Sequence, residues 1–387
     1  MSKRVAVDQS EMPAQRLKKV AWWLALVAGI FPIVWRQVTV SDAWWHVALG
    51  KWLVERRSMP DLSKFYFTPF DAGRLAGELR WEWLGDIVLY LAYAVGGAQG
   101  IQWLVVGCAL AGLVFLARCA SNARGPWILV LLVAICLGTY QLQLARNSVY
   151  SLVLYPALLW LGIRQSGPPS WREYAGVCGL LFLWSCLHGS CALGWVTACA
   201  LLGPRALSAF VSSENWRGGL RASGLFALAM GLAIVLISAG RPDAMHFLGV
   251  PFQHVSNTAS QSLQENKQAE KKVPDEIAPQ AVPAPSITLK EWLNSSIWRR
   301  DPGVPWSNDY WSPFDMLPGM KPIEAAYGLA LLALAGVLAS RNVPLGLLLA
   351  WGGAIFLGLG YVRMFGYTAL ASGAVALVAG SLFTGKS

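Results

Sequence analysis

In the stretch TVSDAWWHVALGKWLVERRSMP, residues 39–60, Asp42 and His46 stand four apart and on a helix share one face. Such a pair can hold a divalent metal, or the imidazole can orient the carboxylate as a general base. An ordinary role competes with both, because Ser41 or Asp42 is a good N-cap for the helix that follows. Trp44, Trp45 and Trp52 suit the interfacial anchoring of such a helix equally well. Further on, Glu82 in WEWLGDIVLYLAY, Arg146 in QLQLARNSVYSLVLYP, His188 in LFLWSCLHGSCALGW and Arg363 are polar residues set among apolar ones. An arginine at headgroup depth can grip a phosphate bidentately, whereas a lone one often only snorkels. His188 precedes a glycine that allows a break in the chain. A buried neutral imidazole bonded to a backbone carbonyl is its plainer reading.

The elements that must carry these residues are membrane helices. The 387 residues are 55% hydrophobic and 13% charged, about half the charge of a soluble domain. Apolar runs of spanning length recur, and they are continuous rather than alternating, which excludes a β-barrel. The fold class expected is an all-α polytopic membrane protein with about 10 transmembrane helices. Their expected positions are 20–35, 100–117, 127–144, 149–163, 174–187, 192–202, 220–239, 323–339, 343–361 and 364–383. The formal charge of +10 lies mostly in short connections, so it reads as a topology signal and not as a nucleic-acid surface. The seven cysteines all lie in or beside apolar segments and form no CxxC pair, so they read as small core residues.

Arg16, Lys18 and Lys19 precede the first apolar run, which predicts a cytoplasmic tail over 1–19 and an outer loop over 41–81. Within that loop DAWWHVALGKWLVER has apolar and aromatic residues at helical spacing, the pattern of an amphipathic helix lying at the interface. The segment 81–97 looks long enough to cross, but counting it as a span strips three arginine-bearing connections of their cytoplasmic side. Glu82, Asp86, Tyr90 and Tyr93 also share one helical face, so the segment is expected at the interface or partly re-entrant. Asp42, His46, Glu82, Arg146, His188, Glu291 and Arg363 then converge on the outer side. The expected organisation is an N-terminal transmembrane module over 20–250, an outer loop over 251–322 and terminal helices over 323–387. Within that second loop, 256–286 is expected to be disordered because it is rich in Gln, Ala, Pro and charge.

The order Asp-Ala-Trp-Trp-His after the first run, then Glu-Trp-Leu, His-Gly and Glu-Trp in LKEWL, resembles a group of bacterial multi-pass proteins. That group is placed with the GT-C superfamily of polyprenyl-phosphate-dependent glycosyltransferases. The resemblance covers most of residues 20–300. It implies a transferase of the bacterial inner membrane that moves a sugar from a polyprenyl-phosphate lipid on the extracytoplasmic face. It implies catalytic roles for Asp42 and His46, with Glu82, Arg146, His188, Arg363 and Trp45 contacting substrate. Asp42 is also the implied ligand for a divalent cation, Mg or Mn. No second acid stands beside Asp42, where many members of the superfamily have a pair. A non-catalytic membrane subunit that binds lipid or a protein through its outer loops is the alternative. A transporter fits less well, because the polar residues gather at one face and not at the midplane.

Overall fold

The computed structural model describes residues 41–58, 82–119, 147–165, 167–211, 216–239, 321–340, 343–360 and 365–384, with Leu24, Ala28, Trp35 and positions 130, 133–135 and 137–138. Expected features at 1–19, at 251–320 and over most of 20–35 and 127–144 lie outside the described residues. So do Arg146, Glu291 and Arg363.

Among the described residues the chain is helical without strands. Nine α-helices follow in order: α1 Ser41–Arg56, α2 Trp83–Cys119, α3 Ser151–Ile163, α4 Trp171–Leu187, α5 Cys191–Val211, α6 Trp216–Ala239, α7 Lys321–Ser340, α8 Leu345–Gly360 and α9 Phe365–Thr384. Three stretches, Trp83–Cys119, Cys191–Val211 and Gly218–Ala239, are long and apolar enough to cross a membrane. Asn147–Ile163, Gly328–Leu338, Leu345–Phe356 and Gly366–Ala379 are shorter apolar helices. The expected ten spans are therefore represented in the described residues by three of crossing length.

Helix α2 is bent. Gly96 sits at φ −139, ψ 16 and Gly97 at φ 57, ψ −145, a conformation essentially restricted to glycine. The bend leaves a first arm over 83–95, about 20 Å long, which falls short of a hydrocarbon core of about 30 Å. The second arm, 98–119, has crossing length by itself. Ala43 and Val47 of α1 bury against Leu89 of the first arm and Ile101 of the second, which ties α1 to the bend. Trp35 stacks edge-on against Trp103 at 4.9 Å, so the end of the first apolar run also meets the second arm.

Two prolines inside helices coincide with two close helix crossings. Pro156 of α3 cannot bond the Leu152 carbonyl, and Gly112 of α2 packs directly on that oxygen. Pro204 of α5 likewise frees the Ala200 carbonyl, against which Gly346 of α8 lies, where a Cβ would come within 3.0 Å. Glycine lets the backbones approach at the turn where proline has released an acceptor. Helix α5 runs on to Val211, nine residues past the expected end at 202.

The described helix ends sort the arginines. Arg118 and Arg164 both stack on Trp160, at 5.6 and 5.3 Å, while Arg205 pairs with Glu173 at 3.0 Å. These residues stand at the end of α2, just past the end of α3, at the start of α4 and late in α5, which is one end of the bundle. Of the expected acids and histidines, His46, Glu82 and His188 come together at the other.

Candidate functional site

Four chain segments build that second end. Helix α1 carries His46. The first turn of α2 carries Asp86, with Glu82 just before it. A 3-10 turn, Asn147–Tyr150, leads into Ser151 of α3. The last is the break between α4 and α5. His188 is extended at φ −158, ψ 146, its N–H still bonded to the Trp184 carbonyl at 2.8 Å, and Gly189 and Ser190 then turn the chain into α5.

Helical spacing arranges the side chains in two tiers. Glu82 and Asp86 are four apart on one element, and Asn147 and Ser151 are four apart on another. In the upper tier, Asp86 is 2% exposed and its Oδ1 lies 2.7 Å from His46 Nδ1. Asn147 Nδ2 donates to the same oxygen at 2.7 Å. Tyr150 closes this tier from below by donating to the Gly85 carbonyl at 2.8 Å. Gly85 makes room for the asparagine: a Cβ there would meet Asn147 Cγ at 2.7 Å and would run into the Leu187 carbonyl.

In the lower tier, Glu82 Oε1 accepts from the Gly189 N–H at 2.9 Å and faces His188 Nε2 at 3.7 Å. The other ring nitrogen, Nδ1, lies 2.6 Å from Ser190 Oγ. Ser190 Oγ accepts from Trp184 Nε1 at 3.1 Å and meets Ser151 Oγ at 3.0 Å. Burial pushes the Glu82 carboxyl up. His188, His46, the Gly189 N–H and Asn147 outweigh that and hold it below its ordinary value. Glu82 is thus ionised at neutral pH beside two imidazoles, an arrangement able to accept, hold and pass protons.

Of the residues expected from sequence, His46, Glu82 and His188 converge here. Asp42 lies in the first turn of α1, one turn before His46, but its side chain is outside the described set. Trp45 sits half-buried on the same helix. The histidine's described carboxylate partner is Asp86, 40 residues away. Asp86 was visible in sequence only as part of a polar stripe. Asn147, Ser151 and Ser190 gave no signal, because small polar residues beside apolar runs are ordinary.

Among the described residues no three His, Cys, Asp or Glu side chains group to hold a metal. His46 Nδ1 is in direct contact with Asp86, and the side chain of Asp42, the expected ligand of Mg or Mn, lies outside the described set. Compared with known family models, curated proteins and solved structures, the chain matches none.

Proposed function

We propose that this chain is a glycosyltransferase of the bacterial inner membrane with about ten spans and a cytoplasmic N-terminus. It would move a sugar from a polyprenyl-phosphate donor to an acceptor on the extracytoplasmic face. The observation that supports this most is the meeting of Glu82, Asp86, His46 and His188 from separate elements at the bundle end opposite Arg118, Arg164 and Arg205. Acids beside a lipid-facing helix bundle are costly unless they serve a purpose. Basic connections at the other end suit a cytoplasmic side.

In the proposed reaction the acceptor hydroxyl gives its proton to the His46–Asp86 pair as its oxygen attacks the anomeric carbon. The bond from that carbon to the donor phosphate breaks, and the lipid phosphate leaves with the electron pair. Asp86 stabilises the imidazolium that forms, and His188 supplies a hydrogen bond beside Glu82. Arg146 and Arg363 are the candidates to neutralise the leaving phosphate. Asp42 remains the candidate second carboxylate on α1, and no step is routed through a cation. Trp45 and its neighbours offer flat apolar walls to sugar or prenyl chain.

The deep burial of Asp86, with Oδ1 already bonded twice, favours a second reading as a non-catalytic subunit whose polar cluster only ties helices together. Purified protein in liposomes with a polyprenyl-phosphate-linked radiolabelled sugar and cell-envelope acceptor separates the two. Label transfer that His46→Gln and Asp42→Asn abolish supports the transferase. Absence of any product, or product indifferent to both substitutions, favours the subunit.

A further inference from the structure

We infer that the site holds its two histidines in opposite tautomers, His46 with its proton on Nδ1 and His188 with its proton on Nε2, and that Ser190 is the positioning residue for the second. The tautomers follow from donors and acceptors alone; only their catalytic use rests on the transferase reading.

For His188 the decisive atoms are obligate donors. The Ser190 backbone N–H points at Nδ1 from 3.2 Å, and the Trp184 indole N–H points at Ser190 Oγ from 3.1 Å. Oγ therefore accepts from the indole and is free to direct its own proton to Nδ1, 2.6 Å away. Ser151 Oγ, 3.0 Å from Ser190 Oγ, completes the set by donating to it. A proton on Nδ1 instead would face the Ser190 N–H, so the ring keeps its proton on Nε2. That nitrogen is the one turned toward Glu82 Oε1, at 3.7 Å. The gap is longer than a direct hydrogen bond.

For His46 the sign is reversed. Beside an ionised Asp86 a bare Nδ1 lone pair 2.7 Å away would be repelled, so Nδ1 carries the proton. Asn147 Nδ2 is 3.1 Å from that nitrogen but has the same carboxylate oxygen as its acceptor, at 2.7 Å. The lone pair of His46 lies on Nε2. One imidazole is thus set as a proton acceptor and the other as a hydrogen-bond donor, a division one acid–base site needs.

The test is nitrogen NMR of the full chain in micelles, labelled at its four histidines and recorded at alkaline pH, with His46→Gln and His188→Gln assigning the signals. Wild type should show His188 protonated on Nε2 and His46 on Nδ1. Ser190→Ala removes the 2.6 Å hydroxyl donor and keeps the longer backbone N–H, so it should move His188 part of the way toward a mixture of tautomers and leave His46 alone, whereas Ser190→Thr, which keeps the hydroxyl, should match wild type. If Ser190→Ala fails to fold, Ser151→Ala removes the bond to Ser190 Oγ and a 3.4 Å contact with Nδ1, and should shift His188 the same way by less. A wild-type His188 protonated on Nδ1, or a His188 signal unmoved in the alanine variant that folds, overturns the inference. In the transfer assay Ser190→Ala should lower kcat by about 100-fold with little change in KM, and Ser190→Thr should restore it. A shifted tautomer with kcat intact overturns the catalytic use. Failure of the wild-type chain to transfer at all overturns the transferase reading and leaves the spectra to decide the tautomers.

Discussion

At one end of the bundle Glu173 is fully buried and meets Arg205 twice, at 3.0 and 3.3 Å; at the other, Glu82 and Asp86 face His188 and His46. Arg205 gives two further donors to the Gly162 and Gly167 carbonyls at 3.2 and 2.8 Å. Glu173 also closes a capping box with Ser170 at the start of α4. A guanidinium keeps its proton under all ordinary conditions, so this end is electrically fixed. Imidazoles change charge near neutral pH, so at the other end the same kind of carboxylate sits beside protons that can move. Buried charge by itself does not mark a site. The titration range of the partner separates a structural pair from a reactive one.

Arg205→Met should show the largest effect on folding. It strands the buried Glu173 carboxylate, at a cost of about 3–5 kcal/mol. Thermal unfolding in detergent measures it, and Glu173→Gln in the same chain should recover most of the loss. A variant as stable as wild type would remove the structural half of the comparison.

Gly85→Ala comes next. The added Cβ overlaps the Leu187 carbonyl and Asn147, so a loss of about 1–3 kcal/mol is expected together with disturbance of the His46 resonance. Gly179→Ala on α4, where a Cβ meets nothing within 4 Å, is the matched control and should be neutral or slightly stabilising.

The smallest effect is one of pH. Burial raises the Glu173 carboxyl, but the Arg205 side chain and the Ser170 N–H more than reverse this, so its native value is lowered. The unfolded chain then takes up the proton first as pH falls. The contribution is whole at neutral pH, erodes through the ordinary carboxylate range, and is gone below the native value. Melting temperatures taken from about pH 7 to about pH 4 should fall further for wild type than for Glu173→Gln. Parallel curves would show that Glu173 is not held this way.

Much of the scaffold was legible in the sequence because it depends on local pattern. The helix over 41–56, the polar stripe of Glu82 and Asp86, and the His188–Gly189 break all follow from spacing within one turn or one dipeptide. The bend of α2 at Gly96 and Gly97 falls at the end of the segment 81–97 that was read as a separate element. The pairings were not legible. His46 finds Asp86 across 40 residues and Asn147 across 101, and only the folding of α2 back on itself at Gly97 brings them together. Helix α5 runs through Pro204 to Val211, nine residues beyond the expected end at 202.

Asp86→Asn tests most directly whether the acid–histidine end is reactive rather than structural. Asparagine keeps the size of the side chain and a carbonyl acceptor for His46 and Asn147, so the fold should lose no more than about 1 kcal/mol. It removes the charge that holds the imidazole proton on Nδ1, so sugar transfer in liposomes, normalised to folded protein, should fall by at least about 100-fold. A variant that melts far below wild type while its folded fraction transfers sugar at the full rate would contradict this, and would make Asp86 a structural tie like Glu173.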